Sequence, residues 1–423
     1  MNEIDLKSEI LNSTILETIV LEIYQLAKEA GIKRIALVGG AIRDNMLNKR
    51  KNRIKNNPKD IDIIVEGSAI DLAKKLSSSL KEGRVSKLKL YKVFNTAEIK
   101  IDNYIIDLTS AREETYPSPG GIPNFVLSTI EIDLKRRDFT INSMALEIPS
   151  FKIIDSFKGK ESLLKDELTF LHKKSVADDP TRIFRGARYA AKLNFHLDKK
   201  SIKQIRRTIK EWPWDWSHQT LESTAPISLS TRLKLELQLL FKEKNWRKGL
   251  DLLKDWDALS LIDEKIQNER FLKERINNAF KLNLDPLTAL IAGSKNPLEL
   301  SKRFEIDQTQ KEILIQAILF KEMFESLLKN DNRLQWKPSQ WCARIEEGKW
   351  KNEAIAIVIS LKVDYWEILI KWWTNWRHIK PPISGEEMIA KGWVEGPELG
   401  EELKRLRYIQ INKNASAESS NLI

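Results

Sequence analysis

The chain has 423 residues, enough for two to three structural units at roughly 150 residues per domain. Hydrophobic residues make up 42% of it and charged residues 31%, which is typical of a globular protein and excludes wholesale disorder. The 71 Lys and Arg residues exceed the 60 Asp and Glu residues, and the resulting net charge of +11 favours a polyanionic partner, nucleic acid before membrane.

The first third of the chain has the hydrophobic patterns of a mixed α/β unit. Apolar residues at helical spacing alternate there with short apolar runs that end in glycine or in turn residues. A stretch rich in proline and glycine cannot form regular structure. The predicted elements in chain order are a helix at 13–30, strands at 34–38 and 61–65, a hairpin at 97–101 and 104–108, and a loop at 117–123.

From about residue 160 onwards the pattern predicts helices. The two strongest helical segments are residues 180–193 and 231–241, each with apolar residues on one side. All 13 tryptophans lie at or after Trp212, so the two halves differ in composition as well as in periodicity. The polar end, residues 412–423, is expected to fray.

Further features indicate the compartment. The apolar runs fall short of the roughly 18 residues that a membrane helix needs. The first residues lack the basic and apolar regions of a signal peptide. One cysteine, Cys342, cannot form an internal disulfide. These features predict a cytoplasmic location.

Two glycines and two aspartates form the strongest local signal. Gly39 and Gly40 follow the first predicted strand, and their amides can hold a phosphate group to which Arg43 adds a charge-assisted contact. Asp60 and Asp62 are one residue apart in a predicted strand, so both carboxylates project from the same face. Two carboxylates need a counter-charge, and hard oxygen ligands favour Mg²⁺. Each motif is weak alone, but together and in this order they predict a metal-dependent phosphate site.

A second signal combines two arginines with an acid and an amide. Arg136 and Arg137 are cations suited to a triphosphate, and Asp138 and Asn142 provide hydrogen-bonding groups suited to a ribose. The alternative is a basic strand edge next to a capped helix start.

A third signal lies at the start of a predicted helix. Pro180 suits the first helical position and makes Asp179 an N-cap candidate. Arg182, Arg185 and Arg188 then follow at three-residue spacing, which is more positive charge than a helix cap requires.

Two further segments are candidates for contact with a nucleic acid. Residues 48–59 carry six basic residues and no acid, and they form either a solvated loop or a contact to phosphates. The cluster of Trp212, Trp214 and Trp216 either packs between helices or stacks on bases.

Taken together, these segments resemble the bacterial-type (class II) tRNA nucleotidyltransferases and poly(A) polymerases over about residues 35–240. The departures from the family pattern include Asp178 in place of Glu, Ser143 in place of Ala, and extra residues between Asp44 and Asp60. The matching segments are the metal motif (37–44 with 60–62), the strand and flexible loop (107–116), the ribose motif (136–145), Asp155 with Gly159, the base-reading motif (178–182), and Arg232 with Glu236.

The resemblance implies an α+β fold, in which a small palm-like head with a mixed sheet and helices precedes an all-α neck, body and tail. The implied domains are a nucleotidyltransferase head at 1–150, a neck at 151–243 that binds the nucleotide base and RNA, a body and tail at 244–411 that bind tRNA, and a flexible C-terminal tail at 412–423.

The reaction implied by the resemblance is transfer of CMP and AMP from CTP and ATP to the 3′ hydroxyl of tRNA, without a template and with release of pyrophosphate. Asp60 and Asp62 would be catalytic and hold two Mg²⁺ ions, and Asp107 is the candidate third catalytic carboxylate. Cytosine and adenine carry an exocyclic amine that a carboxylate can accept from, whereas uracil and guanine present a carbonyl there. The implied nucleotide-binding residues are Gly39, Gly40, Arg43, Arg137, Asp138, Asn142, Asp179, Arg182, Arg185 and Arg188.

Three alternatives stay open at the level of sequence. A poly(A) polymerase usually carries a Gly-Arg-Arg-Phe-type segment before its second strand pair, and residues 91–96 lack it, which favours a tRNA enzyme. The sequence is also compatible with an enzyme that adds only CC or only A. A non-catalytic RNA-binding protein is disfavoured because both Asp60 and Asp62 are present.

Overall fold

A computed structural model describes residues 7, 11, 14–50, 60–214, 225–329 and 335–420. The chain divides into two compact units, Met1–Ala258 and Leu259–Ile423. Most of the predicted basic insertion (51–59) and Trp216 lie outside the described residues.

The first unit opens with alternating strands and helices. Ser68 is the N-cap of the helix at Ala69–Ser79, and its hydroxyl accepts a hydrogen bond from the Asp71 amide. In chain order the elements are α1 (Thr14–Glu29), β1 (Ile35–Val38), α2 (Gly40–Arg50), β2 (Asp60–Val65), α3 (Ala69–Ser79), β3 (Val85–Tyr91), β4 (Thr96–Ile101), β5 (Tyr104–Ser110), β6 (Arg112–Thr115), β7 (Asn124–Leu127), α4 (Ile130–Lys135), β8 (Ala145–Ile148) and β9 (Ile153–Ile154).

Seven of these strands form one mixed sheet in the order β3-β4-β5-β2-β1-β8-β9. Strands β2 and β5 pair in parallel, and every other neighbouring pair in this sheet is antiparallel. Strands β6 and β7 pair separately as a hairpin. The end of β1 and the start of β2 therefore lie side by side in the middle of the sheet.

One face of the sheet is the core of the head. Alternate residues of β4 and β5, such as Ile99 and Ile106, are completely buried. Helix α3 contacts both strands and turns the apolar face with Leu72 and Leu76 towards the interior. The other residues of β4 and β5 are only half-buried, so the opposite face stays partly open.

The rest of the first unit is mainly helical. The helix at Thr181–Leu193 contacts both the helix at Ile227–Lys242 and the helix at Trp246–Asp255. Gly249 lets the helices at Ile227–Lys242 and Trp246–Asp255 approach each other closely, since an added Cβ would lie 2.3 Å from Leu240 Cδ1. The elements are α5 (Gly159–Leu164), β10 (Glu167–Leu168), α6 (Ser175–Asp178), α7 (Thr181–Leu193), β11 (His196–Leu197), α8 (Lys199–Lys210), α9 (Ile227–Lys242) and α10 (Trp246–Asp255).

The second unit contains only helices and turns in its described residues, 259–329 and 335–420. Its core includes a fully buried guanidinium, because Arg275 pairs with Glu269 and donates to the Leu290 carbonyl at 3.1 Å. The helices are α11 (Glu264–Asn268), α12 (Leu272–Lys281), α13 (Pro286–Ala292), α14 (Pro297–Arg303), α15 (Gln308–Leu328), α16 (Pro338–Glu347), α17 (Asn352–Ser360), α18 (Trp366–Thr374), α19 (Gly385–Ala390) and α20 (Pro397–Ser420).

The structure confirms the predicted α+β class. It also confirms the predicted elements within one or two residues, except that the helix predicted at 231–241 is longer. Residues 231–241 lie inside α9, which begins four residues earlier. Helix α20 includes residues 412–420, and the fraying expected from residue 412 stays a prediction. Asn412 binds this helix to α16, since its Nδ2 donates to Ser339 Oγ at 2.9 Å. The finer domain division at 150, 243 and 411 stays a prediction.

Among the described residues, none of the helices combines the length and the apolar composition that crossing a bilayer requires.

The two faces of β5 predict a difference in stability between neighbouring residues. Replacing buried Ile106 with alanine should lower the free energy of unfolding by about 2–5 kcal/mol, because the deletion leaves a cavity in the core. The matched change Ile105→Ala, on the half-buried face, should cost about 1 kcal/mol or less. Urea unfolding followed by circular dichroism measures both, and equal losses would contradict this assignment of faces.

Candidate active site

The paired aspartates stand on one face of β2. Asp60 and Asp62 are exposed, while Ile61 and Ile63 between and after them are buried. This alternation places both carboxylates on the partly open face of the sheet, as predicted. In the parallel register, Asp62 lies directly beside Asp107 on β5.

Gly39 places the glycine turn after β1 directly against Asp62. Its φ is +85°, and an added Cβ would stand 2.3 Å from Asp62 Oδ2. Only glycine allows both the backbone conformation and the approach of the carboxylate. Gly40 then begins α2, so the first turn of this helix faces the same space.

Neither Asp62 nor Asp107 forms an ion pair with another of the described residues. Desolvation raises the pKa of Asp62, Arg137 opposes this shift and Asp60 adds to it. Desolvation also raises the pKa of Asp107, with Asp62 and Glu98 contributing. Such a site favours a bound cation, and two exposed oxygen ligands one residue apart suit a hard divalent ion.

The residues that suit a divalent metal ion are Asp60 and Asp62, and they are not part of a larger cluster of ligands among the described residues. In the described part of the chain, no group of three or more His, Cys, Asp or Glu side chains is placed to hold a metal ion. The role of Asp107 as a third carboxylate therefore stays a prediction that rests on its position beside Asp62.

A cleft of about 850 Å³ lies beside Asp62, between the glycine turn, the β6–β7 hairpin and helices α7 and α9. Asp60, Asp107 and Arg188 do not line it, although Asp107 neighbours Asp62 and Arg188 lies one turn beyond Arg185. The predicted site residues that line the cleft are Gly39, Gly40, Arg43, Asp62, Arg137, Asp138, Asn142, Asp179, Arg182 and Arg185.

One chain of polar contacts connects α2 with the segment after α4. Arg43 Nη1 donates to Asn142 Oδ1 at 2.6 Å, and Asn142 Nδ2 donates to Asp138 Oδ1 at 2.9 Å. The Arg43 guanidinium also stacks 5.0 Å from the ring of Tyr189. Asn142 therefore holds an arginine and an acid of the cleft wall at the same time.

Asp138 continues this chain towards the helices. Its Oδ2 lies 3.3 Å from Arg185 Nε, and that nitrogen is also 3.3 Å from Glu236 Oε1. Asp138 is buried, and burial opposes its ionisation, but Arg185 and the hydrogen bond from Asn142 lower its pKa overall. Glu236 also accepts from Arg188 Nε at 3.0 Å, so one carboxylate serves two arginines.

Asp179 and Arg182 stand at the start of α7. The cap residue of α7 is Pro180, so the expectation that Asp179 caps this helix is wrong by one residue. The Asp179 carboxylate accepts from the Thr181 amide at 3.2 Å and pairs with Arg232 Nη1 at 2.9 Å. Arg182 donates to the carbonyl oxygens of Ser175 and Arg136. The base-reading candidates are thus held in place by protein contacts, one by an arginine and the other by backbone.

Two buried acids that the sequence analysis did not single out as site residues position the arginines of the cleft. Asp133 is completely buried and pairs with Arg136 at 2.7 Å and with Arg137 at 3.3 Å. Glu114 accepts from Arg112 Nε at 2.8 Å and from Arg136 Nη1 at 3.0 Å. The spacing of Asp133 from the two arginines, three and four residues, is the signal that could have revealed it.

The loop at 117–123 is bound to the helical region of the same unit. The Gly120 amide donates to the Asp178 carbonyl at 3.0 Å, and Trp214 Nε1 donates to the Pro119 carbonyl at 3.0 Å. Arg232 donates to the Gly120 carbonyl at 2.5 Å. Trp214 therefore secures this loop, while the role of the tryptophan cluster in stacking stays open.

The close contact at Gly39 predicts that alanine is tolerated less well at Gly39 than at Gly40. Gly39→Ala should lower the melting temperature, because a left-handed conformation costs about 1 kcal/mol or more and the methyl group displaces Asp62. Gly40→Ala is the matched control, since Gly40 is not in the left-handed region and its added Cβ would lie no closer than 3.1 Å to a neighbour, Arg43 Nη2. Thermal unfolding of both variants tests this, and equal melting temperatures would contradict it.

Comparison with known proteins agrees with this geometry. Residues 35–169 match the model of the poly A polymerase head domain. The chain is 29% identical over 402 residues to the A-adding tRNA nucleotidyltransferase of Aquifex aeolicus, covering 90% of the chain and 45% of that protein. It is 31% identical over 245 residues to the CC-adding tRNA nucleotidyltransferase of Deinococcus radiodurans, covering 56% of the chain and 58% of that protein. The chain thus spans about half the length of these curated relatives.

Solved structures give matches over nearly the whole chain. An apo form of a CCA-adding enzyme superposes with a TM-score of 0.72 at 25% identity, covering 97% of this chain and 95% of that one. The Thermotoga maritima CCA-adding enzyme complexed with tRNA has the same fold, with a TM-score of 0.69 at 24% identity, covering 98% and 95%. The chain thus has a match to the poly A polymerase head domain at residues 35–169 and the fold of CCA-adding enzymes over nearly its whole length.

Proposed function

We propose that the chain is a template-independent RNA nucleotidyltransferase that adds C, A or both from CTP and ATP to the 3′ end of tRNA. The observation that carries the proposal is the pair of exposed carboxylates, Asp60 and Asp62, next to a cleft walled by arginines. Relatives named as A-adding and CC-adding tRNA nucleotidyltransferases support the same reaction. A cytoplasmic location belongs to this proposal.

The triphosphate is assigned to the glycine turn. Gly39 and Gly40 bring the first amides of α2 to the cleft, and the N-terminus of a helix favours an anion. Arg43 and Arg137 supply positive charge on the same wall. Both guanidiniums are already oriented by protein partners, so little side-chain freedom is lost when a phosphate binds.

The cation is assigned to Asp60 and Asp62, and we propose Mg²⁺ as its identity. When bound, Mg²⁺ activates the attacking hydroxyl and stabilises the negative charge of the leaving pyrophosphate. The protein side of this site consists of two exposed carboxylates, one of them with a raised pKa that a cation would lower again.

The ribose is assigned to Asp138. Within the described residues its Oδ2 accepts no hydrogen bond although it is buried, and the lowered pKa keeps the group ionised. A ribose 2′ hydroxyl is a donor that satisfies such an oxygen, whereas a deoxyribose leaves it without a hydrogen bond. This arrangement favours ribonucleotides.

The base is assigned to Asp179 and Arg182. A carboxylate accepts from the exocyclic amine of cytosine or adenine, and an arginine donates to a ring nitrogen or oxygen. Arg232 fixes the direction of the Asp179 carboxylate through the 2.9 Å ion pair. Two protein side chains thus stand in for a nucleic-acid template.

The function is tested with three tRNA substrates, which lack the whole CCA end, lack only the final A, or are complete. Each is incubated with CTP, ATP or both together with Mg²⁺, and product length is read on a denaturing gel. Extension of a truncated tRNA supports the proposal and tells CCA, CC-only and A-only addition apart. Long homopolymeric A tails identify a poly(A) polymerase, and no extension of any substrate refutes the proposal.

The paired carboxylates predict loss of catalysis without loss of fold. Asp60→Ala or Asp62→Ala should abolish nucleotide addition, because each removes one of two metal ligands. Binding of Mn²⁺, followed by electron paramagnetic resonance, should weaken in both variants. An unchanged circular dichroism spectrum controls for folding, and turnover near that of the wild type at ordinary Mg²⁺ would refute the assignment.

The contacts at the start of α7 predict a change in nucleotide choice. Asp179→Ala and Arg182→Ala should allow incorporation of UTP or GTP at measurable rates, because an unpaired donor or acceptor weakens discrimination by roughly 1 kcal/mol or more. Incorporation of all four nucleotides is measured alongside thermal unfolding. Strict selection of CTP and ATP with a lower melting temperature would mean that Asp179 and Arg182 only stabilise the helix.

A further inference from the structure

The face of the head sheet that carries the paired aspartates continues across two further strands to a row of lysines. Residues that pair directly across a sheet lie on the same face. Asp62 pairs with Asp107, Asp107 with Glu98 on β4, and Glu98 with Lys89 on β3. A straight row of side chains therefore runs from the metal-binding candidates to the edge of the sheet.

A second row of side chains runs parallel to the first and also ends at a lysine of β3. Asp60 pairs with Ile105, Ile105 with Lys100, and Lys100 with Lys87. Both rows begin at an acid of β2 and end at a lysine of β3. Neighbouring strands are about 4.8 Å apart, so the lysines of β3 stand about 14 Å from the acids.

This part of the sheet is accessible. Lys87, Lys89 and Tyr91 of β3 are exposed, and Tyr91 keeps 47% of its surface. Lys100 is half-buried. The core helix α3 contacts the sheet from the side on which Ile99 and Ile106 are buried, which is the opposite face. We call the surface formed by Lys87, Lys89, Lys100 and Tyr91 the lysine face.

The lysine face has an excess of positive charge. Lys87 Nζ lies 2.7 Å from Glu98 Oε1, and this ion pair accounts for one of the three lysines. Lys89 and Lys100 remain as excess positive charge. Fixed cations on an exposed sheet, next to an aromatic side chain, are the chemistry that recognises phosphates and an unpaired base.

The lysine face is also continuous with the cleft. Tyr91 pairs with Thr96, Thr96 pairs with Thr109, and both threonines line the cleft. A strand of RNA lying over the lysines and Tyr91 would thus reach the cleft at Asp62 without leaving the sheet. The nucleotide is assigned to the other side of Asp62, where the arginines stand.

We propose that the lysine face binds the acceptor strand of the RNA, with Lys89 and Lys100 at its phosphates and Tyr91 against a base, and so directs the 3′ hydroxyl to Asp60 and Asp62. The proposal rests on the proposed function, because it names the position of that reaction's second substrate. It assigns to the head sheet a role in RNA binding besides that of the helical regions.

The test is a triple variant, Lys87→Gln/Lys89→Gln/Lys100→Gln. Its matched control, Lys28→Gln/Lys74→Gln/Lys81→Gln, removes the same charge from exposed lysines of the helical side of the head. A fluorescent tRNA that lacks its CCA end is titrated without nucleotide, and anisotropy gives the Kd at several salt concentrations. Circular dichroism confirms that both variants are folded.

We expect the Kd of the lysine-face variant to rise about tenfold. The slope of log Kd against log salt should fall by about 1.4, since Lys89 and Lys100 each lose one phosphate contact and each such contact on a single strand contributes about 0.7. The control should stay within about twofold of the wild type. In nucleotide addition, KM for tRNA should rise while kcat at saturating tRNA and KM for CTP stay unchanged.

An unchanged Kd in the lysine-face variant, or an equal loss of affinity in the control, would overturn the proposal. The binding assay contains no CTP or ATP, so its outcome is independent of catalysis. A wild-type protein that binds tRNA through the lysine face and adds no nucleotide would refute the proposed function alone. Tyr91→Phe should keep the affinity and Tyr91→Ala should lower it, which separates a stacking role from the charge effect.

Discussion

The cleft depends on one electrostatic constraint, which is that a buried guanidinium needs a carboxylate or amide partner. Arg43 and Arg188 are almost completely buried, and removing the partner of a buried charge typically costs about 3–5 kcal/mol. The structure meets this constraint with a continuous alternation of basic and acidic or amide side chains. The alternation runs from Arg43 through Asn142, Asp138, Arg185 and Glu236 to Arg188.

This alternation decides how the parts of the first unit are joined. Its members come from α2, from the turn after α4, from α7 and from α9, so a charged network connects the sheet-bearing head to the helices beyond it. It also separates two kinds of charge in one cleft. Asp138 keeps a lowered pKa inside a basic wall, whereas desolvation raises the pKa of Asp62, which forms no ion pair within the part of the chain that the structure describes. A ligand with its own cation and several phosphates is complementary to both parts.

The local elements were predictable because their signals are local. Alternating burial in β2 follows from the period of a strand, so the shared face of Asp60 and Asp62 could be derived from two positions alone. The glycine turn and the hairpin at Asp102 follow from backbone preferences of a few residues. The continuation of α20 beyond residue 412 has no such local signal, because the contact that holds it joins Asn412 to Ser339, 73 residues away.

The sequence by itself thus determined the class of the fold and the position of its clearest strands and helices, and it proposed the candidate site residues, since each rests on short-range periodicity or on the order of motifs along the chain. Only the tertiary structure decided which partner each charged group has. Asp179 is held by Arg232, and Glu236 serves Arg185 and Arg188, through contacts between helices that no local pattern encodes. The alignment of Lys89 with Asp62 across four strands is of the same kind, because strand register is set by long-range pairing and by burial of the opposite face.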